Sequence, residues 1–331
     1  MVPVGGRVAP LMSRIVRGLD GVQRRHASLG LPWAVLRKYL EDDGTRLAAQ
    51  LTYYGFLSLI PLLLLATTAV TELLRWNPEL QREMLDQLGN AELRLQVEWA
   101  LADLPSSGVP LAVGLVSLLF AGTGGVLAVY YALNAMWGVA WRDRFGVVSR
   151  YARVLFVLVL SFTTGVLAAG SAILTEAVVR LPAIQRGAAG IGAAGAVFAV
   201  IVIMHKVLIC RPVRLREMWV GGAAAALAAT ALLHAAATVL PVLVTRAGPI
   251  YGSFATVVGV FTLLYLISQT FVLGVELSTV LHQRLFPRGL TASALTPMDR
   301  QALALLAGQQ ERVPGQHITT TFSTDADDAP R

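Results

Sequence analysis

The stretch Leu47 to Leu74, LAAQLTYYGFLSLIPLLLLATTAVTELL, carries one charge in 28 residues and sets polar groups at Gln50, Tyr53, Tyr54 and Ser58 ahead of Pro61. A helix crosses a hydrocarbon core of roughly 30 Å with about 20 mainly apolar residues, so this stretch is long enough to span with tilt or a bend. Its polar half is expected to face something other than lipid, because buried polar groups are costly in hydrocarbon. The rest of the chain agrees: 55% of the 331 residues are hydrophobic, 14% are charged, and the mean hydropathy is +0.63. Such a composition excludes an ordinary soluble domain and predicts an all-α, polytopic membrane bundle.

Six runs qualify as spans: Leu47 to Leu74, Val109 to Val139, Val154 to Val179, Gly190 to Cys210, Trp219 to Thr245, and Ser253 to Leu281. The second contains Gly122, Thr123, Gly124 and Gly125, which predicts a bent helix, or a span followed by an interfacial helix ending at Trp137 and Trp141. Basic residues set the orientation. Arg7, Arg14, Arg17, Arg24, Arg25, Arg37, Lys38 and Arg46 precede the first span; Arg142, Arg144, Arg150 and Arg153 follow the second; Lys206, Arg211, Arg214 and Arg216 follow the fourth. These regions are expected in the cytoplasm, with both termini inside. The chain therefore divides into a basic segment 1–46, a membrane domain 47–285 and a cytoplasmic tail 286–331.

Within segment 1–46, Leu11, Ile15, Leu19 and Val22 recur at helical spacing among arginines, which suits either an interfacial helix or a basic tail. Trp33, Leu36 and Leu40 form a second apolar stripe, and Asp42-Asp43-Gly44-Thr45 offers a turn or N-cap before the span. The connection Asn77 to Ser107 reads as acidic, helical and extracytoplasmic. Thr296-Pro297-Met298-Asp299 reads as the start of a short helix through Leu306, and disorder is expected beyond Gly308.

Glu276 demands an explanation, because a central carboxylate costs on the order of 2.5–3.5 kcal/mol in a spanning helix. It lies seven residues after Gln269 and eleven after Tyr265, spacings that place all three on one helical face, with Thr262 and Tyr251 close to the same stripe. Glu276 reads either as a proton, cation or headgroup contact, or as a helix-end carboxylate paired with a loop arginine. Pro61 frees acceptors in the turn around Leu57 and Ser58; the resulting kink either widens a cavity beside Gln50, Tyr53 and Tyr54 or serves packing alone. Asn134 reads as interhelical hydrogen-bond glue, and the four-residue repeats Gly221, Ala225, Ala229 and Gly222, Ala226, Thr230, with Gly192 and Ala196, permit close helix approach.

No catalytic constellation stands out. His26, His205, His234, His282 and His317 are scattered without paired-ligand spacing, so neither metal nor other cofactor is expected, and the glycine run lacks the lysine of a phosphate loop. Cys210 is alone and cannot form an internal disulfide. The net charge of +7 lies in short loops without an aromatic-interleaved patch, which argues for anionic lipid headgroups and against nucleic acid.

Taken together, LAAQLTYYGFLSLIPLLL after Asp42-Asp43, ALNAMWGV with the basic Arg150 to Arg153 region, RPVRLREMWVGG, and IYGSFATVVGVFTLLYLISQTFVLGVELSTVL resemble the YihY/BrkB family of bacterial inner-membrane proteins, over roughly residues 35 to 285. The resemblance implies a six-helix plasma-membrane protein linked with envelope integrity or, in some pathogens, serum resistance. Transport of lipids or lipid-linked precursors has been suggested for relatives. An old ribonuclease BN label on some members finds no histidine and aspartate cluster here. The expectation is a non-enzymatic protein that transports or accommodates an amphiphilic envelope component along a route lined by Gln50, Tyr53, Tyr54, Ser58, Gln269 and Glu276. The alternative is a scaffold that recruits envelope proteins, with self-association left open.

Overall fold

The computed structural model describes residues 27–76, 79, 109–178, 183–252, 254–290 and 295–322. The basic stripe Leu11 to Val22, the connection Asn77 to Ser107 apart from Glu79, and the last nine residues lie outside the described residues. The described residues form eight α-helices: α1 (Ala27–Glu41), α2 (Gly44–Trp76), α3 (Val109–Met136), α4 (Val147–Val178), α5 (Ala183–Leu208), α6 (Leu215–Tyr251), α7 (Phe254–Gln283) and α8 (Pro297–Gly308). A 3-10 turn, Trp141–Asp143, joins α3 to α4. Among the described residues there is no strand.

Among the described residues, five helices are long and apolar enough to cross a membrane: Gly44–Leu65, Ala112–Met136, Val147–Thr164, Leu215–Val239 and Phe254–Gln283. The run expected as the fourth span falls on α5, where the apolar part is the shorter Ala194–Leu208. The glycine run does not break α3. Gly122 and Gly124 are instead places where a neighbouring helix approaches: a Cβ on Gly122 would meet the Leu158 side chain of α4, and one on Gly124 the Tyr54 ring of α2. The helix ends at Met136 through Gly138, whose φ of 72° lets its N–H reach Ala135 O while Val139 N–H reaches Asn134 O, the paired bonds of a Schellman ending.

Helix α7 is central, packing against α6, α2 and α1 and touching α3. Its approach to α6 is the closest kind two helices make. A Cβ on Gly221 would collide with Gly274 O, a Cβ on Gly274 with Gly221 O and Ala225 Cβ, and Ser278 donates to Met218 O at 3.2 Å. Gly222 faces Phe198 of α5, so the two small-residue stripes of α6 serve two different partners. Gly192 does not share that role: nothing lies within 4 Å of a Cβ placed there.

The ends of α3, α5 and α7 meet the starts of α2, α4 and α6 at one end of the bundle. Phe145 N–H donates to Cys210 Sγ, Asn134 bonds Leu208 O and Cys210 N–H, and His282 lies 3.9 Å from Glu217. Asn134 thereby ties α3 to α5, as its reading as glue required. A collar of α1, the 3-10 turn, residues 284–290, α8 and residues 309–322 covers this end. Beyond Gly308 the expected disorder does not hold over residues 309–322. Trp141 N–H donates to Gln309 O, Arg142 N–H to Glu311 O, and the Arg142 guanidinium pairs with Glu311 at 2.9 Å.

Candidate functional site

The site is assembled where α1 crosses the collar end of α7. Helix α1 ends at Glu41 because Asp43 takes a left-handed φ of 56°, and the Asp43 carbonyl accepts the Arg46 and Leu47 N–H groups that open α2. Gly44 is required at this turn, since a Cβ there would enter the Tyr39 ring. The turn presses the Ala34, Lys38 and Tyr39 face of α1 against the bundle and leaves Leu36 and Leu40 exposed. The stripe read from the sequence divides: Leu36 and Leu40 stay exposed, Trp33 is half-buried and donates to Gly289 O, and the face carrying a lysine is the one packed inward.

Lys38 Nζ lies 3.1 Å from Glu276 Oε2, donates to Met136 O at 3.0 Å, and is in contact with Asp42 Oδ2. Glu276 is 0% exposed and lies seven residues before the end of α7. Neither of its oxygens has a well-directed hydrogen bond, so its tie to Lys38 is one of charge. Its partner is a lysine on the helix before the first span and not a loop arginine.

Burial works against the Lys38 ammonium, yet Glu276 and Asp42 together outweigh it and hold its pKa above the ordinary lysine value. Burial likewise pushes the Asp42 carboxyl up, and Lys38 only partly offsets this. Two carboxylates thus share one ammonium in a site that is almost wholly buried.

From this cluster a polar seam continues along α7. Tyr39 O–H donates to Gln269 Oε1 at 2.6 Å and lies 3.0 Å from Thr45 Oγ1, while Gln269 Nε2 donates to Tyr265 at 2.6 Å. Tyr265, Gln269 and Glu276 therefore do share a face, and α1 covers it. Thr262 is exposed and bonds Val258 O, and Tyr251 belongs to α6.

The polar residues of α2 diverge instead of converging on that seam. Gln50 and Tyr53 are exposed, Tyr53 at 53%. Tyr54 packs over Gly124 of α3 and stacks edge-on with Tyr53 at 5.2 Å. Ser58 donates to Tyr54 O at 2.8 Å, one turn before the Leu57 carbonyl that Pro61 frees. Pro61 itself is buried, and α2 remains one helix through it. Contact between α2 and α7 falls to Gly55 against Leu264 and to Phe56 against Phe261 at 5.6 Å.

A second charged group, unread from the sequence, locks the collar beside the cluster. Arg288, 0% exposed, grips both Glu41 oxygens at 2.7 and 2.8 Å and donates from Nε to Asp299 Oδ1 at 2.9 Å. Burial pushes the Asp299 carboxyl up, but hydrogen bonds from Thr296 and Gly289 N–H, the Thr296 hydroxyl and Arg288 together prevail and hold it below the carboxylate range. Thr296 and Asp299 also complete the capping box of α8, with Pro297 in the first turn. A narrow crevice lined by Lys38, Asp42, Met136, Gln283 and Leu305 reaches the cluster from the collar. Among the described residues no group of three or more His, Cys, Asp or Glu could hold a metal ion.

Compared with known proteins, residues 35–296 match the family described as virulence factor BrkB, which is well over half of the chain. No curated protein and no solved structure matches.

Proposed function

The chain belongs to the BrkB virulence-factor family, and on that premise we propose a bacterial plasma-membrane protein that supports envelope integrity by moving or accommodating an amphiphilic, lipid-like envelope component. The observation that carries this reading is the seam Tyr265, Gln269, Glu276, which runs from a shared-charge cluster into a spanning helix and is covered by α1. A polar stripe at that depth suits the headgroup of an amphiphile, and α1 is the element that uncovers it. The role is one of binding and passage and not of catalysis. Six helices cross in this reading. Helix α5 has 26 residues, about 39 Å at 1.5 Å per residue, against a core of roughly 30 Å. The collar end is cytoplasmic, since Arg37, Arg142, Arg153, Arg211 and Arg288 all lie there.

The test is lipid passage in proteoliposomes, scored by protection of labelled lipid from an impermeant quencher. Gln269→Leu, which removes the seam's middle hydrogen bonds while leaving the charge cluster, is expected to slow passage at least tenfold at wild-type expression. Passage at the wild-type rate by this variant excludes the seam as the route. Wild-type protein that moves no lipid favours the scaffold reading, for which the locked collar offers a rigid platform.

A further inference from the structure

Three arginines at the collar end are held differently from the ion-paired ones on the α1 and α8 side. Arg144 stacks on Trp141 with its guanidinium carbon 3.9 Å from the ring centre, and among the described residues the guanidinium makes long hydrogen bonds of 3.3 and 3.4 Å to Val139 O. Arg153 lies 4.0 Å over Phe145 and donates to Val207 O at 3.1 Å. Arg150 stands between Tyr131 and Tyr151 at 5.9 and 5.6 Å, and its buried Nε has no hydrogen-bond partner. Tyr131 and Trp141 are themselves 6.0 Å apart, so Arg144 and Arg150 each lie over one member of a single aromatic pair.

None of the three makes an ion pair with a carboxylate among the described residues. The ion pairs of the neighbouring Asp143 and Glu311 are with Arg142, at 3.7 and 2.9 Å. Helix α4 has no acidic residue in its first turn and carries Arg150 and Arg153 in its first two turns, the wrong charge for a helix start. Burial pushes the Arg144 guanidinium below its ordinary value despite the help of Tyr130, Cys210 and Tyr131. Half-buried cations that oppose a helix dipole and lack a counter-charge lack an anion.

The surroundings say which anion. Trp141 and Tyr151 are 42% and 46% exposed, as aromatics at headgroup depth are. Directly beyond them, α4 exposes Leu155, Phe156 and Val159, an apolar side fit for acyl chains. Planar guanidinium forks match phosphate oxygens better than an ammonium does.

We propose that Arg144, Arg150 and Arg153 form a binding site for the phosphate of an anionic phospholipid, whose chains lie along the exposed side of α4. The site stands apart from the seam of α7 and holds whether or not the seam passes lipid.

The experiment is native mass spectrometry of the full chain with phosphatidylglycerol or phosphatidylcholine, alongside thermal unfolding with the same lipids. Wild-type protein is expected to retain phosphatidylglycerol at least tenfold better and to melt several degrees higher with it, while inorganic phosphate does neither. At roughly fivefold per charge near a membrane surface, Arg144→Gln/Arg150→Gln loses more than tenfold in that preference, whereas Arg284→Gln/Arg300→Gln, the same charge removed elsewhere on the collar, keeps it. Equal retention of the two lipids, equal losses in the two double variants, or full competition by inorganic phosphate overturns the proposal. The wild-type measurements decide it even if the first variant does not fold.

Discussion

Lys38 is worth more than either of its partners, and the asymmetry is measurable. At 3.1 Å and an effective dielectric of about 20, the Lys38 and Glu276 charges attract by about 5 kcal/mol. Lys38→Met leaves Glu276 and Asp42, with side chains 0% and 4% exposed, facing each other without a cation. Breaking a buried pair in this way costs about 3–5 kcal/mol. Protonating one carboxyl at pH 7 limits the damage to about 4 kcal/mol, at 1.36 kcal/mol per unit from a glutamate value near 4.3. Glu276→Gln instead leaves Lys38 with Asp42 and the Met136 carbonyl, one cation to one anion, and costs about 1–2 kcal/mol. The double variant removes an anion from a site that has lost its cation, so it is expected to be no less stable than Lys38→Met, giving a coupling of at least about 1 kcal/mol. Equilibrium unfolding in mixed detergent and SDS reads all four corners of the cycle. Lys38→Met is also expected to gain stability as pH falls from 7 towards 4. Burial already makes folded Asp42 hold its proton more tightly than the unfolded chain does, so stability drops with rising pH between about 3.9 and the raised folded value. Glu276→Gln as costly as Lys38→Met, or strictly additive losses, would refute a shared-charge site.

Arg288→Gln breaks the two-pronged grip on Glu41 and the bond to Asp299; it is expected to cost about 3–5 kcal/mol and to open residues 309–322 to limited proteolysis while the spans stay protected. Asp299, whose folded pKa is lowered, stabilises the collar above about pH 3.9 and loses that contribution as pH falls through the folded value, so collar proteolysis accelerates only below that point and Asp299→Asn abolishes the step. Gly221→Val forces α6 from α7 because its Cβ has no room beside Gly274 O; loss of the monodisperse species in size-exclusion chromatography is expected, whereas Gly192→Val, in open space, elutes as wild type.

Apolar runs and small-residue stripes carried most of the fold, because a spanning helix declares itself through length and hydropathy alone. Helix α8 was legible for another reason: its cap is local, needing only Thr296, Pro297 and Asp299 in order. The seam of α7 was legible from spacing, since 265, 269 and 276 fall on one face of any helix. What covers it was not. Lys38 and Glu276 are 238 positions apart, and the apolar stripe Trp33, Leu36 and Leu40 carries no mark that the lysine face of α1 is the one packed inward. A pair of charges that satisfies itself at long range leaves no local signature, and the same holds for Arg288 with Glu41. The polar residues of α2 differ from the seam for another reason: at 100° per residue Gln50, Tyr53, Tyr54 and Ser58 do fall within an arc of about 140°, but which neighbour that arc meets is not written in its spacing, and it turns to the exposed surface and to Gly124 of α3 instead of to α7.

The partner found for Glu276 alters what its burial means. A helix-end carboxylate paired with a loop arginine would tune a surface; a carboxylate paired with a lysine of α1 makes the segment before the first span part of the bundle. Removing α1 would leave Glu276 without its cation and Gln269 without Tyr39, at a cost set by the charge and not by the small apolar contact of Ala34, Val280 and Leu285. Lifting α1 is therefore an event that needs compensation at two places: a cation or a proton at Glu276, which loses Lys38, and an anion at Arg288, which loses Glu41. The whole cluster of Lys38, Asp42 and Glu276 lies inside the region matched to the family, 35–296, whereas Asp299, which anchors the collar, lies outside it. Arg288 and Glu41 lie inside the matched stretch as well, so the charges that hold α1 over the seam and most of the lock on the collar fall within it, with Asp299 three residues past its end.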